Sequence, residues 1–175
     1  MTGAAVRAAA LAAALVSGGC AAYSWRPAVP PEMRTAAVAT FRNESDVTEL
    51  GSKVTAQVLR ELQREGTFRV AAADDAAVEV QGVVKSGSPK TVAYERHTGA
   101  RLRERELEAT AVVSFIDKKA GQVIADGLRY KARTTFLAGD DVLSGARDAS
   151  GRLAEELARQ IVDDLVSRKW QRREQ

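Results

Sequence analysis

Cysteine and histidine are almost absent from this chain: its 175 residues contain one of each, Cys20 and His97. A lone cysteine cannot close an intramolecular disulfide, and a lone histidine with no Asp or Ser companion supports no nucleophile–base pair. Aromatic residues are 5% of the total, too few for a stacking platform. Excess charge of one sign is lacking as well. The 26 basic and 23 acidic side chains leave a net +3, too balanced for a nucleic-acid binder. No apolar run approaches the ~20 residues of a membrane-spanning helix. No G-x-S-x-G, P-loop or zinc-ligand spacing occurs. Asp74-Asp75 and Glu104/Glu106/Glu108 are carboxylate clusters without a partner set that would give them acid–base roles. The expectation is a protein that is not an enzyme and needs no metal or cofactor.

What is present begins at the N-terminus. Arg7, an apolar run from Ala8 to Val16 and then Ser17-Gly18-Gly19-Cys20 read as an export signal spanning residues 1–19. Cys20 stands where signal peptidase would leave it as the first mature residue. That position suits lipid attachment, as in bacterial lipoproteins, although Ser17 occupies the place where their motif usually has Leu. An ordinary signal peptide with an incidental thiol is the alternative. Removing 19 of 175 residues leaves 156, the size of one domain. Ala21 follows the cysteine where Asp would signal inner-membrane retention, which by analogy with lipoprotein sorting favours the outer membrane, periplasmic side. Residues 20–35, with Pro27, Pro30 and Pro31, read as anchor and tether; residues 36–170 as the domain; residues 171–175 as a charged tail.

The periodicities outline that domain. Thr35–Phe41 reads as a short strand and Arg42-Asn43-Glu44-Ser45 as a turn. Asp46 with Glu49 makes a capping-box-like start for a helix carrying Val47, Leu50, Val54, Val58 and Leu62 on one stripe, and Gly66 ends it. Thr67–Val70 is a brief strand. From Ala76 the period is two, with Val78, Val80, Gly82 and Val84 on one face. Residues 85–100 read as a long polar loop holding His97. Two long strands follow, one with Leu107, Ala109, Ala111, Val113 and Phe115 in alternation, the other with Ile124, Leu128, Tyr130, Ala132 and Phe136. Asp117–Gln122 joins them, and a symmetric hairpin would set Glu106 opposite Arg133 and Glu108 opposite Lys131. A last helix carries Val142, Ala146, Ala149, Leu153, Leu157, Ile161 and Leu165, with Arg168 and Lys169 at its negative end. The order implies an α+β two-layer sandwich, two helices on one face of a four- to five-stranded mixed sheet.

The strongest binding feature is basic. Arg101, Arg103 and Arg105 alternate on one strand, and Arg129, Lys131 and Arg133 form a second alternating row on its neighbour, with Lys85, Lys90 and Arg96 nearby. Planar guanidinium forks suit phosphate. The same side chains would equally serve to pair with Glu104, Glu106 and Glu108 or to solubilise the sheet.

Several strings, in order, resemble the lipopolysaccharide-assembly lipoproteins of the LptE family. They are Cys20-Ala21-Ala22-Tyr23-Ser24-Trp25, Pro30-Pro31, Val38-Ala39-Thr40-Phe41-Arg42-Asn43-Glu44-Ser45, Leu59-Arg60-Glu61-Leu62, Ala73-Asp74-Asp75-Ala76, and Leu153 through Trp170. The resemblance covers nearly the whole mature chain. Asp75 and Ala77, the unusual Ser17 and the long basic segment depart from the pattern. The resemblance implies a plug inside the LptD outer-membrane β-barrel that helps lipopolysaccharide reach the outer leaflet and can itself bind it; the residue pattern then offers Arg101, Arg103, Arg105, Arg129, Lys131 and Arg133 as candidate contacts and Cys20 as the lipid site. A periplasmic regulatory lipoprotein docking on a cell-wall synthase or secretion channel, or a solute-binding lipoprotein, fits the residues alone as well.

Overall fold

The computed structural model describes the backbone of residues 29–86, 90–97, 100–138, 142–168 and 170, and their side chains except at 86, 90–103, 138 and 142–144. Cys20 and Lys169 therefore lie outside the described residues, as do the side chains of His97, Arg101 and Arg103. The strands are β1 (Thr35–Val38), β2 (Arg42–Asn43), β3 (Arg69–Val70), β4 (Val78–Ser86), β5 (Lys90–His97), β6 (Ala100–Asp117) and β7 (Gln122–Ala138). The helices are α1 (Leu50–Glu65) and α2 (Val142–Ser167).

All seven strands join one mixed sheet. β1 lies parallel between β3 and β4, and β2 also pairs in parallel with β4 beyond β1. β4 and β5 both run antiparallel to β6 on the same side of it, so they follow one line, and β7 covers the other side of β6. The sheet is thus five positions wide, which agrees with the expected mixed sheet. Lys53 in the first turn of α1 donates to the Arg147 carbonyl and to Ser150 Oγ near the start of α2, and Arg64 in its last turn feels Glu155 and Asp163. The helices therefore run side by side in the same direction.

The period-3.6 stripes are the core. Leu50, Val54, Val58 and Leu62 of α1 and Ala149, Leu153, Leu157, Ile161 and Leu165 of α2 are fully buried, against Val78, Val80, Val84, Leu107, Ala109, Ala111, Val113 and Phe115 of the sheet. Complete burial of such a side chain contributes roughly 1.5–3 kcal/mol, so the two helices are held chiefly by these rows. Gly66 ends α1 at φ 80°, as expected of a left-handed cap. Val29 and Met33 join the core, so packing starts before residue 35.

Four local expectations are corrected. The first strand stops at Val38, and Arg42-Asn43 is not turn but strand β2. Asp46 does not cap α1. Ser45 donates to Asn43 Oδ1 and Asn43 Nδ2 to the Val47 carbonyl, so a side-chain-braced turn occupies 43–47 and the helix starts at Leu50 behind Glu49, at φ 63°. The supposed loop at 85–100 is strand for most of its length, because β5 borrows its ladder from β6, Lys90 opposite Glu106 and His97 opposite Ala100. Finally, the hairpin register moves by two residues. Asp117 faces Gln122 as a symmetric turn requires, but two irregularities near Phe115 insert extra residues into β7, with Gly127 at φ 64°. Glu106 consequently faces Thr135, and Glu108 faces Arg133.

Candidate functional site

Alternation along β6 divides the sheet into two surfaces. Odd positions from Leu107 to Asp117 are buried under the helices, and Arg105 shares their parity, opposite Phe136 of β7. Arg105 is half-buried, and its Nε is shielded from solvent without a hydrogen-bond partner among the described residues. Arg101 and Arg103 occupy the same parity further along, in register with Arg96 and Tyr94. Arg129, Lys131 and Arg133 belong to the other parity. They oppose Val112, Thr110 and Glu108 and are exposed on the helix-free face. The two basic rows therefore stand on opposite faces of one sheet, and no single ligand headgroup touches Arg105 and Lys131 together.

The helix-free face is where charge is left unspent. Its β7 row spans about 13 Å from Arg129 to Arg133 at strand rise. None of the three makes an ion pair with another described residue, although Glu108 stands across from Arg133. Lys85 of β4 opposes Thr110 from the other side, so it shares a row with Lys131 about 10 Å away. Arg42 of β2 opposes Val83 on the same face. Arg42 and Lys85 are already engaged: both contact Glu44, at 2.6 and 3.4 Å, and hold its carboxyl below the usual carboxylate range. Sequence reading missed Arg42 because it lay in an assumed turn.

The edge of the sheet is closed from the side. Arg152 Nη2 donates to the Thr135 carbonyl and Gln160 Nε2 to the Lys131 carbonyl, so α2 occupies edge groups of β7 that a further strand would otherwise take. Beside Arg152, a notch of about 380 Å³ is lined by Glu104, Thr135, Phe136, Leu137, Gly145 and Asp148. It is open and of mixed polarity. Among the described residues no three His, Cys, Asp or Glu are placed to hold a metal ion, and no helix is long and apolar enough to cross a membrane.

A family model described as LptE, lipopolysaccharide-assembly, matches residues 33–168, which is the sandwich from the first turn to the end of α2. No curated protein matches the chain. Among solved structures, a candidate lipoprotein of Caulobacter crescentus is similar at 18% identity and a TM-score of 0.49, over 73% of this chain and 88% of that one. A minor lipoprotein of Acinetobacter baumannii is similar at 14% identity and a TM-score of 0.48, over 77% of this chain and 93% of its own.

Proposed function

From the premise that this chain belongs to the LptE family of lipopolysaccharide-assembly lipoproteins, we propose that it plugs an LptD-type outer-membrane β-barrel and contacts lipopolysaccharide in transit. The family is a non-enzymatic one of outer-membrane lipoproteins. The observation that carries the reading is the match of the family model across the whole two-layer sandwich, 33–168. Cys20 is the proposed lipid site, which would hold the protein on the periplasmic side of the outer membrane. Basic side chains of the sheet supply the contacts to phosphate.

The architecture supports a plug in physical terms. Both helices bury their apolar stripes internally, α2 engages the Lys131 and Thr135 carbonyls of edge strand β7, and the open sheet face carries exposed Arg129, Lys131 and Arg133. Purification of the tagged protein from detergent-solubilised envelope tests the proposal. A lipopolysaccharide-inserting barrel is the expected stoichiometric partner. Recovery of a cell-wall synthase or a secretion channel in its place would overturn it.

A further inference from the structure

Arg152, Glu156 and Gln160 of α2 follow one another at spacings of four, so they form one row along the helix. The row lies against the outer edge of β7. Arg152 Nη2 donates to the Thr135 carbonyl at 3.0 Å and Gln160 Nε2 to the Lys131 carbonyl at 3.1 Å. The two spacings match, since eight helical residues rise about 12 Å and four strand residues about 13 Å. Glu156 steadies the row by accepting from Gln160 Nε2 at 2.9 Å, and Arg152 Nε adds a bond to Thr134 Oγ1 at 3.2 Å. β7 is paired with β6 alone, so this edge ends the sheet. Outward carbonyls at Lys131 and Thr135 fix its alternation, and the N–H and carbonyl of Arg133 between them point outward too. Neither has a hydrogen-bond partner among the described residues.

We propose that this edge is a strand-pairing surface held shut by α2, and that the partner it excludes is a second copy of the chain. An open edge offers a row of N–H and C=O groups that another strand can extend. No proline or glycine interrupts β7 from Leu128 to Leu137, so nothing in the backbone of that stretch blunts it. The helix row does so from outside. Two of its side chains take outward carbonyls and stand in the path of an incoming strand. Charge is the second barrier. Antiparallel pairing of two copies about Arg133 sets the two exposed Arg133 side chains directly opposite one another, where like charges repel. The same two-fold arrangement is otherwise self-complementary. Lys131 would face Thr135, and Arg129 would face Leu137, which is 62% exposed in the single chain. The helix row and the cations together keep the free protein monomeric.

Sedimentation equilibrium of the full chain in density-matched detergent tests this. Wild type should remain monomeric in both about 0.1 M and about 1 M salt. R152A/Q160A should sediment at twice that mass, with a larger dimer fraction at high salt, where the screening length falls from about 10 to about 3 Å. Adding R133P should restore the monomer, because proline removes the central outward N–H and leaves the ladder to β6 intact. Hydrogen exchange supplies an arm that needs no variant. In wild type the Arg133 amide should exchange at least tenfold faster than those of Ala132 and Thr134, which point to β6. In R152A/Q160A it should slow to their level. A double variant that stays monomeric at high salt, or a dimer indifferent to R133P, would overturn the proposal. So would a wild-type Arg133 amide as slow as its neighbours, since that edge would already be paired. This last result decides the matter even where the double variant fails to fold.

Discussion

Asp164 of α2 accepts a hydrogen bond from the Tyr130 hydroxyl and others from Arg168 Nη2, at 3.0 and 2.9 Å to its two oxygens. The Arg168 guanidinium lies 5.3 Å from the centre of the Phe115 ring, and its shielded Nε has no partner among the described residues. One carboxylate therefore satisfies two half-buried groups at the end of the helix layer. Asp164→Ala should destabilise the fold by about 2 kcal/mol or more in urea titrations, because it strands a cation already removed from most of its water. Burial, and then the hydrogen bond and charge of Asp164, raise the Tyr130 hydroxyl above its ordinary value near 10. The unfolded chain releases this proton near pH ~10 while the folded chain retains it. The Tyr130 contribution is thus complete below pH ~10 and is lost as pH rises beyond it. Tyr130→Phe should flatten the alkaline fall in stability relative to wild type, and parallel curves from pH 9 to 11 would refute this. On α2 itself, Leu153 is buried and Arg159 is exposed with Glu155 and Glu156 as ion partners. Leu153→Ala should cost roughly 2–5 kcal/mol. Arg159→Ala should fall within about 0.5 kcal/mol of wild type. Equal shifts in thermal melts would mean that the buried face of α2 is wrongly assigned.

Two glycines show how elements are fitted to one another. A Cβ on Gly51 would sit 2.4 Å from the Phe41 carbonyl, and one on Gly82 would sit 2.3 Å from the Phe41 ring. Phe41 is thereby wedged between α1 and β4, and its N–H donates to Thr55 Oγ1 at 2.9 Å. Gly51→Ala must move backbone, so it should destabilise by about 1–3 kcal/mol, as overpacking does. Gly127 has open space around it but stands at φ 64° in the irregular part of β7. Gly127→Ala should therefore cost only the conformational strain, about 1 kcal/mol, with the melt remaining cooperative. These contacts also mark what sequence could and could not show. The helix stripes were legible because a 3.6 period and burial coincide at Leu50, Val54, Val58 and Leu62. The strand β5 was not, since Lys90–His97 has no apolar alternation and its order comes from backbone pairing with β6. The hairpin register was legible at Asp117–Gln122 and lost two residues later, where irregularities carry no signal beyond one glycine. The basic rows were found, but their separation onto two faces follows from Arg105 sharing parity with Leu107, while Arg129 opposes the outward Val112. That relation needs the register.

At the scale of the molecule, one face of the sheet makes the core, and no helix among the described residues covers the other. The connection to the membrane is expected at the end where both Val29 and the β6–β7 hairpin lie. Nine residue steps separate Cys20 from Val29. At most ~3.3–3.6 Å per residue, that tether reaches about 30 Å, roughly the thickness of a bilayer core. A lipid on Cys20 would therefore keep the fold close to the membrane without dictating its tilt. The core around Leu153 and Phe115 is built from described residues from Val29 onward. Cys20→Ser should thus leave the melting temperature of the purified protein within about a degree of wild type while removing the attached lipid. In cells the variant should shift from the membrane pellet to the soluble periplasmic fraction, and intact-mass measurement should show loss of the acyl mass. A tight barrel complex would retain some unlipidated protein in the pellet, so the mass decides. A wild-type chain whose mass shows no lipid, with Cys20 carrying a free thiol, would end the anchoring proposal and leave the incidental-thiol reading in its place.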